Sequence, residues 1–134
     1  MTVTMLRTKI HQGVLTKTRL NYVGSISIDQ DLIEAVGLFP YEKVQVVNSN
    51  NGDRLETYVI PAAAGSGAIE LNGAAARNGV AGDRLIIMSY AQMSIAEAKT
   101  HQPKVAILDQ RNQIVEIFLY DHLLAEQAER PALI

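Results

Sequence analysis

Gly24-Ser25 is a dipeptide that could create a catalytic group without any imported cofactor. A serine hydroxyl beside a strained backbone carbonyl can attack that carbonyl and convert the amide into an ester. A preceding glycine lowers the steric resistance and permits unusual dihedral angles. Elimination of the ester leaves dehydroalanine, and hydrolysis then gives a pyruvoyl group and ammonia. The dipeptide alone is common, and a plain turn is its ordinary interpretation.

Two pairs of polar residues have the spacing that places each pair on one face of a strand. Lys9 and His11 are two residues apart, and Arg54 and Tyr58 are four apart. The two cations could hold substrate carboxylates, with His11 as a nearby polar partner, and Tyr58 could donate a proton. Strict alternation turns Thr57 the other way, so Thr57 and Tyr58 share a site only through twist, a bulge or a neighbouring subunit. A half-exposed strand face remains the ordinary interpretation of both pairs.

The segment Asn72-Gly73-Ala74-Ala75 presents bare backbone N–H groups before a helical turn, and such a turn can bind a carboxylate. A plain loop with a helix start is the alternative. His101 and His122 lack the spacing of metal ligands, and the absence of cysteine excludes thiolate sites. The sequence also lacks a P-loop and a dinucleotide-binding glycine motif. It therefore predicts no metal.

Composition limits the class of protein. The 134 residues suit one domain, and 48% are hydrophobic, enough for a core without disulfides. A net charge of −2 gives no strong field for nucleic acid or for an anionic membrane. The N-terminal residues lack the apolar stretch of a signal peptide, and no apolar run approaches the roughly 20 residues of a membrane span. We expect a soluble cytoplasmic protein.

Short alternating runs separated by turn residues indicate many strands and few helices. One helix is expected from Gln30 to Val36, with Asp29 as its N-cap and Gly37 as its C-cap, and a second near Ile95 to Lys99. The tail after residue 120 could be helical or frayed. The strands are expected at Met5–Gln12, Leu20–Ile28 with a break at Gly24, Lys43–Val47, Arg54–Ile60, Ile69–Leu71, Leu85–Met88, Val105–Leu108 and Ile114–Leu119. This pattern favours a small closed barrel.

The motifs together resemble a known family more specifically than any of them does alone. The order is Lys9-x-His11, Tyr22-x-Gly24-Ser25, Asn51-Gly52-x-Arg54-x-x-Thr57-Tyr58 and Asn72-Gly73-Ala74-Ala75-Ala76. In this order and spacing the chain resembles the bacterial pyruvoyl-dependent aspartate 1-decarboxylases. The similarity covers about the first hundred residues.

The resemblance implies a mainly β fold, a small double-psi β-barrel with a few short helices. It implies self-cleavage between Gly24 and Ser25 into a small β chain, 1–24, and a large α chain, 25–134, that begins with a pyruvoyl group. The resulting enzyme would decarboxylate L-aspartate to β-alanine through a Schiff base, for pantothenate and coenzyme A synthesis. Relatives form homotetramers with sites at subunit interfaces, and some such precursors could need a maturation factor.

The resemblance also gives roles to individual residues. Ser25 and Tyr58 would be catalytic, and Thr57 would polarise the scissile carbonyl beside Gly24. The substrate would be bound by Lys9, His11, Arg54, Thr57, Asn72, Gly73, Ala74 and Ala75, with Tyr22 lining the site. Two alternatives stay open from the residues. One is a non-enzymatic double-psi or swapped-hairpin barrel acting as a binding or interaction module, and the other is a hydrolase using Ser25 and Lys9.

Overall fold

The computed structural model describes residues 1–120. Nine strands form one sheet in the order β2-β6-β3-β5-β4-β7-β1-β8-β9. The strands are β1 Thr2–Val14, β2 Lys17–Arg19, β3 Ser25–Asp29, β4 Lys43–Asn48, β5 Arg54–Ala62, β6 Ile69–Asn72, β7 Arg84–Ser94, β8 Lys104–Leu108 and β9 Ile114–Leu119. The helices are α1 Gln30–Val36, a 3₁₀ helix Gly73–Asn78 and α2 Ile95–Thr100. The expected fold class, mainly β with a few short helices, is confirmed.

Backbone hydrogen bonds tie the end of β1 to both halves of the sheet. The N–H of Leu15 donates to the carbonyl of Asp83, and the N–H of Thr16 donates to the carbonyl of Ile69, each at 2.8 Å. Asn112, in the turn between β8 and β9, bonds to the backbone of Val14 and of Gly67. These ties curl the sheet on itself, which is consistent with the small barrel that the sequence predicts.

Strand register separates an inner row of residues from an outer row. Ile10 pairs with Ile87, which pairs with Val46, and all three side chains are at most 1% exposed. The neighbouring row consists of Lys9, Met88, Gln45 and Glu56, paired in that order across β1, β7, β4 and β5. Because successive side chains point to opposite faces of a strand, this second row lies on the outer face of the sheet.

The helices begin and end where local chemistry requires. Asp29 caps α1 by accepting a hydrogen bond from the N–H of Asp31, and Gly37 ends it in the left-handed conformation, with φ 75°. Ser94 and Glu97 form a capping box at the start of α2. Glu42 joins Arg7, Ser89 and the N–H of Phe39 in a part-buried network between β1, β4 and β7.

Three sequence expectations need correction. Residues 20–24 are turn and coil, so the strand expected from Leu20 begins at Ser25. β1 and β7 extend well beyond the expected Met5–Gln12 and Leu85–Met88 because the two strands pair along nearly their whole length. β5 runs through Pro61 to Ala62, two residues beyond the expected Arg54–Ile60. The tail expected to be helical or frayed lies outside the described residues, as does His122. Within residues 1–120, the helices are too short to cross a membrane.

Candidate active site

Ser25 stands at the point where an exposed turn enters a fully buried strand. Gly24 is exposed, whereas Ser25 is 1% exposed and opens β3, whose five residues are all buried. The Ser25 hydroxyl donates to the carbonyl of Val23 at 3.3 Å. The hydroxyl is thus turned back towards the backbone that precedes it, next to the Gly24–Ser25 peptide bond.

The side-chain amide of Asn72 holds the Ser25 hydroxyl from the neighbouring strand. Ser25 and Asn72 are register partners in the antiparallel pair of β3 and β6. Asn72 is fully buried, and its Nδ2 donates to Ser25 Oγ and to Ser27 Oγ, both at 2.8 Å. Its Oδ1 has no hydrogen-bond partner among the described residues. A buried carbonyl of this kind can accept a hydrogen bond from a group that enters the site.

Gly73 lets the 3₁₀ helix approach the Gly24–Ser25 bond closely. Its φ is +66°, and a Cβ built there would lie 2.8 Å from Gly24 Cα, 2.9 Å from Gly24 N and 2.9 Å from the carbonyl oxygen of Tyr22. All three neighbours are backbone atoms and cannot move aside as a flexible side chain would. Glycine is therefore required at this position both by conformation and by space.

An open cleft of about 440 Å³ lies beside Gly24. We call it the Gly24 cleft, and its lining residues are Gly24, Leu55, Glu56, Thr57, Tyr58, Ala74, Ala75 and Asn78. It follows the edge of β5. β5 pairs with β4 through residues 54–58 on one side, and with β3 only from Val59 onwards on the other. Within the described chain, residues 54–58 therefore have no strand partner on the cleft side.

Thr57 and Tyr58 both line the Gly24 cleft although they point to opposite faces of β5. Thr57 pairs with the buried Val44, and Tyr58 pairs with the exposed Lys43. The predicted alternation is confirmed, and both residues reach one cleft because it runs along the strand edge. The parallel pairing of β3 with β5 begins at Ile26 and Val59, the residues that directly follow Ser25 and Tyr58, and Gly24 and Thr57 line the same cleft.

Lys9 and His11 lie elsewhere in the same chain. Lys9 is half-buried on β1, with Nζ 5.6 Å from the centre of the Tyr120 ring. His11 is 4% exposed, and neither ring nitrogen has a hydrogen-bond partner among the described residues. Burial, and then the charge of Lys9, lowers the pKa of His11 to about 4. The imidazole is therefore neutral at pH 7.

Arg54 is exposed at the start of β5, and it shares the outer face with Tyr58. The strands β4 and β7 separate β5 from β1. With neighbouring strands about 4.8 Å apart, the β1 row that holds Lys9 lies roughly 14 Å from β5. A small dicarboxylate is shorter than that separation along the sheet, and Lys9 is not among the residues that line the Gly24 cleft.

The comparisons with known proteins agree with the family that the motifs resemble. The family described as aspartate decarboxylase matches residues 1–115. Aspartate 1-decarboxylase of Acaryochloris marina is 60% identical over 113 residues, covering 84% of this chain and 86% of the relative. The protein of that name in Bacillus subtilis is 58% identical over 114 residues, covering 85% and 90%. The one in Trichormus variabilis is 55% identical over 123 residues, covering 92% and 97%.

The chain belongs to the aspartate decarboxylase family. The resemblance drawn from the motifs is confirmed, and the chain is an enzyme of the carboxy-lyase class rather than a barrel that only binds. The geometry also opposes a Ser25/Lys9 hydrolase in one chain. The Ser25 hydroxyl bonds to Asn72 and Val23, while the Lys9 ammonium lies over Tyr120.

The structure adds site residues for this decarboxylase that the sequence did not reveal. Leu55, Glu56 and Asn78 line the Gly24 cleft. Ser27 shares the amide of Asn72 with Ser25. In the sequence these residues are marked only by their position. The strand residues lie two positions from a motif residue, and Asn78 lies at the end of the 3₁₀ helix. Tyr22 is exposed, and the centre of its ring lies 5.7 Å from Arg19 Cζ. Tyr22 borders a second cleft.

Proposed function

We propose that this family member cleaves itself between Gly24 and Ser25 and then converts L-aspartate into β-alanine and carbon dioxide, for pantothenate and coenzyme A synthesis. The catalytic group would be a pyruvoyl at residue 25, and the chains would be 1–24 and 25–134. The observation that carries the proposal is the buried Ser25 hydroxyl, held by Asn72 next to a glycine that is packed against Gly73.

The cleavage reaction balances with one water and one ammonia. Ser25 Oγ bonds to the Gly24 carbonyl carbon while the Gly24–Ser25 C–N bond breaks, which gives an ester and a free amine. β-Elimination removes the Cα proton of residue 25 to solvent, breaks its Cβ–Oγ bond and releases the Gly24 carboxylate. Water then replaces the nitrogen of the resulting dehydroalanine, and ammonia leaves. Each step uses atoms of the chain and solvent.

Thr57 is the residue placed to assist the first step. It lines the Gly24 cleft together with Gly24 itself. A hydroxyl donor aimed at the scissile carbonyl stabilises the negative charge that develops on its oxygen, and donors of this kind are worth about 10²- to 10³-fold in rate. We assign this role to Thr57.

The surroundings of residue 25 fit a pyruvoyl group. The Asn72 amide stands at Oγ, the position at which the side chain of residue 25 reacts, and Asn72 Oδ1 is a buried acceptor without a partner among residues 1–120. Asn72 and Gly73 would hold the group against the sheet. A pyruvoyl supplies an electrophilic ketone for a substrate amine and an electron sink for decarboxylation.

Substrate binding requires cations near two carboxylates. Lys9 and Arg54 share the outer face of the sheet, and the N–H groups at Gly73, Ala74 and Ala75 are at the start of the 3₁₀ helix. We infer that a homotetramer with sites at subunit interfaces brings the outer face of one copy to the Gly24 cleft of another. There Lys9 of the first copy and Arg54 of the second copy bind the carboxylates of aspartate, and His11 of the first copy lies nearby. Tyr58 would deliver the proton to the carbon from which carbon dioxide leaves.

Intact mass spectrometry of the purified full-length protein tests the cleavage. We expect two chains, 1–24 and 25–134, with the larger lighter by one ammonia than a chain beginning with serine. Warm incubation alone and with a cell extract covers a possible maturation factor. Ser25→Ala is the matched control and should stay whole and inactive. A wild-type chain that stays whole under both conditions refutes the proposal.

Substrate choice is tested with the cleaved protein. L-Aspartate and L-glutamate are supplied separately, and β-alanine and 4-aminobutyrate are quantified. We expect β-alanine from aspartate and much less product from glutamate, since glutamate carries one additional methylene between its carboxylates. Equal turnover of the two amino acids would contradict the assignment of aspartate.

A further inference from the structure

Ser27 is a buried hydroxyl next to the site that the proposed mechanism does not use. It is 8% exposed and lies two residues after Ser25 on β3, so both side chains are on the same face of the strand. Asn72 Nδ2 lies 2.8 Å from Ser27 Oγ and 2.8 Å from Ser25 Oγ. One amide nitrogen therefore connects the reacting serine to a second serine.

This arrangement fixes the plane of the Asn72 amide. An NH₂ group carries two protons in that plane, and here each proton has its own hydroxyl acceptor. The amide oxygen offers no competing anchor, because it has no partner among the described residues. Without Ser27 Oγ, the bond to Ser25 alone would orient the amide, and the terminal torsion of asparagine is broad.

We propose that Ser27 is a positioning residue for self-cleavage, which acts by orienting the Asn72 amide that holds the Ser25 hydroxyl. The inference rests on the proposed cleavage at Gly24 and Ser25. Ser27 touches neither the scissile bond nor the substrate cleft in this geometry. Its effect is on the rate at which the precursor matures.

Two variants of equal shape isolate the hydroxyl. Ser27→Thr keeps the hydroxyl, and Ser27→Val has a methyl group in its place. Both are β-branched residues that suit a strand, and Ser27 borders a second cleft of about 320 Å³ that gives room for one more methyl group. Precursor is purified rapidly, and the loss of full-length chain is followed by intact mass spectrometry.

We expect Ser27→Thr to cleave within about twofold of the wild-type rate and Ser27→Val about tenfold more slowly, the factor that corresponds to one ordinary hydrogen bond. Ser89→Ala serves as a control because Ser89 is also buried and its hydroxyl donates to Glu42, outside the site. This control should lose stability and keep the wild-type cleavage rate.

Each remaining outcome overturns the inference in a distinguishable way. Equal cleavage rates for Ser27→Val and wild type show that the hydroxyl has no positioning role. Equal slowing in Ser27→Val and Ser27→Thr assigns the effect to shape, and equal slowing in Ser89→Ala assigns it to stability. A wild-type chain that remains whole removes the proposed cleavage and this inference together.

Discussion

Replacing Gly73 with alanine should separate the packing of the scissile bond from the stability of the fold. The new Cβ would lie 2.8 Å from Gly24 Cα, roughly 0.7 Å inside the ~3.5 Å at which carbon atoms attract. The left-handed conformation, with φ +66°, costs a non-glycine residue about 1–2 kcal/mol. Overpacking adds about 1–3 kcal/mol. We therefore expect the free energy of unfolding to fall by about 2–5 kcal/mol.

Cleavage should slow as well, because the clash can be relieved only by moving backbone at Gly24 or Tyr22. A displacement on the order of 1 Å at a reacting group costs up to about 10²-fold in rate, so we expect cleavage to slow between about tenfold and a hundredfold. Intact mass spectrometry follows the cleavage. Denaturant titration in the Ser25→Ala background, at one protein concentration, measures stability on an uncut chain.

Gly52→Ala is the matched control for this experiment. Gly52 also has a positive φ, +80°, but a Cβ there would meet no atom within 4 Å. It should therefore lose about 1 kcal/mol of stability and cleave at the wild-type rate. If Gly73→Ala behaves like Gly52→Ala in both assays, the close approach of Gly73 to Gly24 does not position the scissile bond, and the reasoning fails.

Three further predictions concern single side chains. Tyr58→Phe should cleave normally but form β-alanine about 10²- to 10⁴-fold more slowly, measured by single-turnover assay, because it loses the proton donor; unchanged turnover would exclude that role. Burial and the Lys9 charge lower the pKa of His11 from 6.5 to about 4. Between these pH values the protein takes up a proton at His11 when it unfolds, so the free energy of unfolding should fall as the pH drops from 6.5 to 4. Denaturant titrations should show a flatter dependence in His11→Gln, and equal slopes would contradict the lowered pKa. Burial raises the pKa of Glu42, but hydrogen bonds, first from Arg7, outweigh burial and hold the pKa below 4.5. The loss of stability in Arg7→Met should therefore be greatest at neutral pH and should become smaller as the pH falls below that value. A loss that does not change with pH would contradict this explanation.

The sequence predicts those parts of the fold that depend on neighbouring residues. α1 has its expected bounds because its N-cap Asp29 and its C-cap Gly37 are both next to it in the chain. The capping box of α2 is local in the same way. By contrast, the absence of a strand before Ser25 depends on distant partners. β6 and β5 begin to pair with β3 only at Ser25 and Ile26 respectively.

The same distinction between local and distant interactions applies to the site residues. The resemblance to the family implies one site for Gly24, Thr57 and Tyr58, and the structure brings them to one cleft. The proposed positioning role of Ser27 could not be predicted, because its hydrogen bond to Asn72 joins residues 45 positions apart. Strand alternation alone also does not predict that Thr57 and Tyr58, on opposite faces of β5, line one cleft at the edge of that strand.

The two tasks of the proposed enzyme use different parts of the fold. The groups for cleavage meet within one chain, through β3, β6 and the free edge of β5. The cation Lys9 lies across β4 and β7 from that edge, on the outer face. Under the proposed cleavage, one folded chain would therefore contain all the groups that make its catalytic group. In the proposed homotetramer, Lys9 of another copy holds aspartate, so the outer face of each sheet would form part of the neighbouring copy's site.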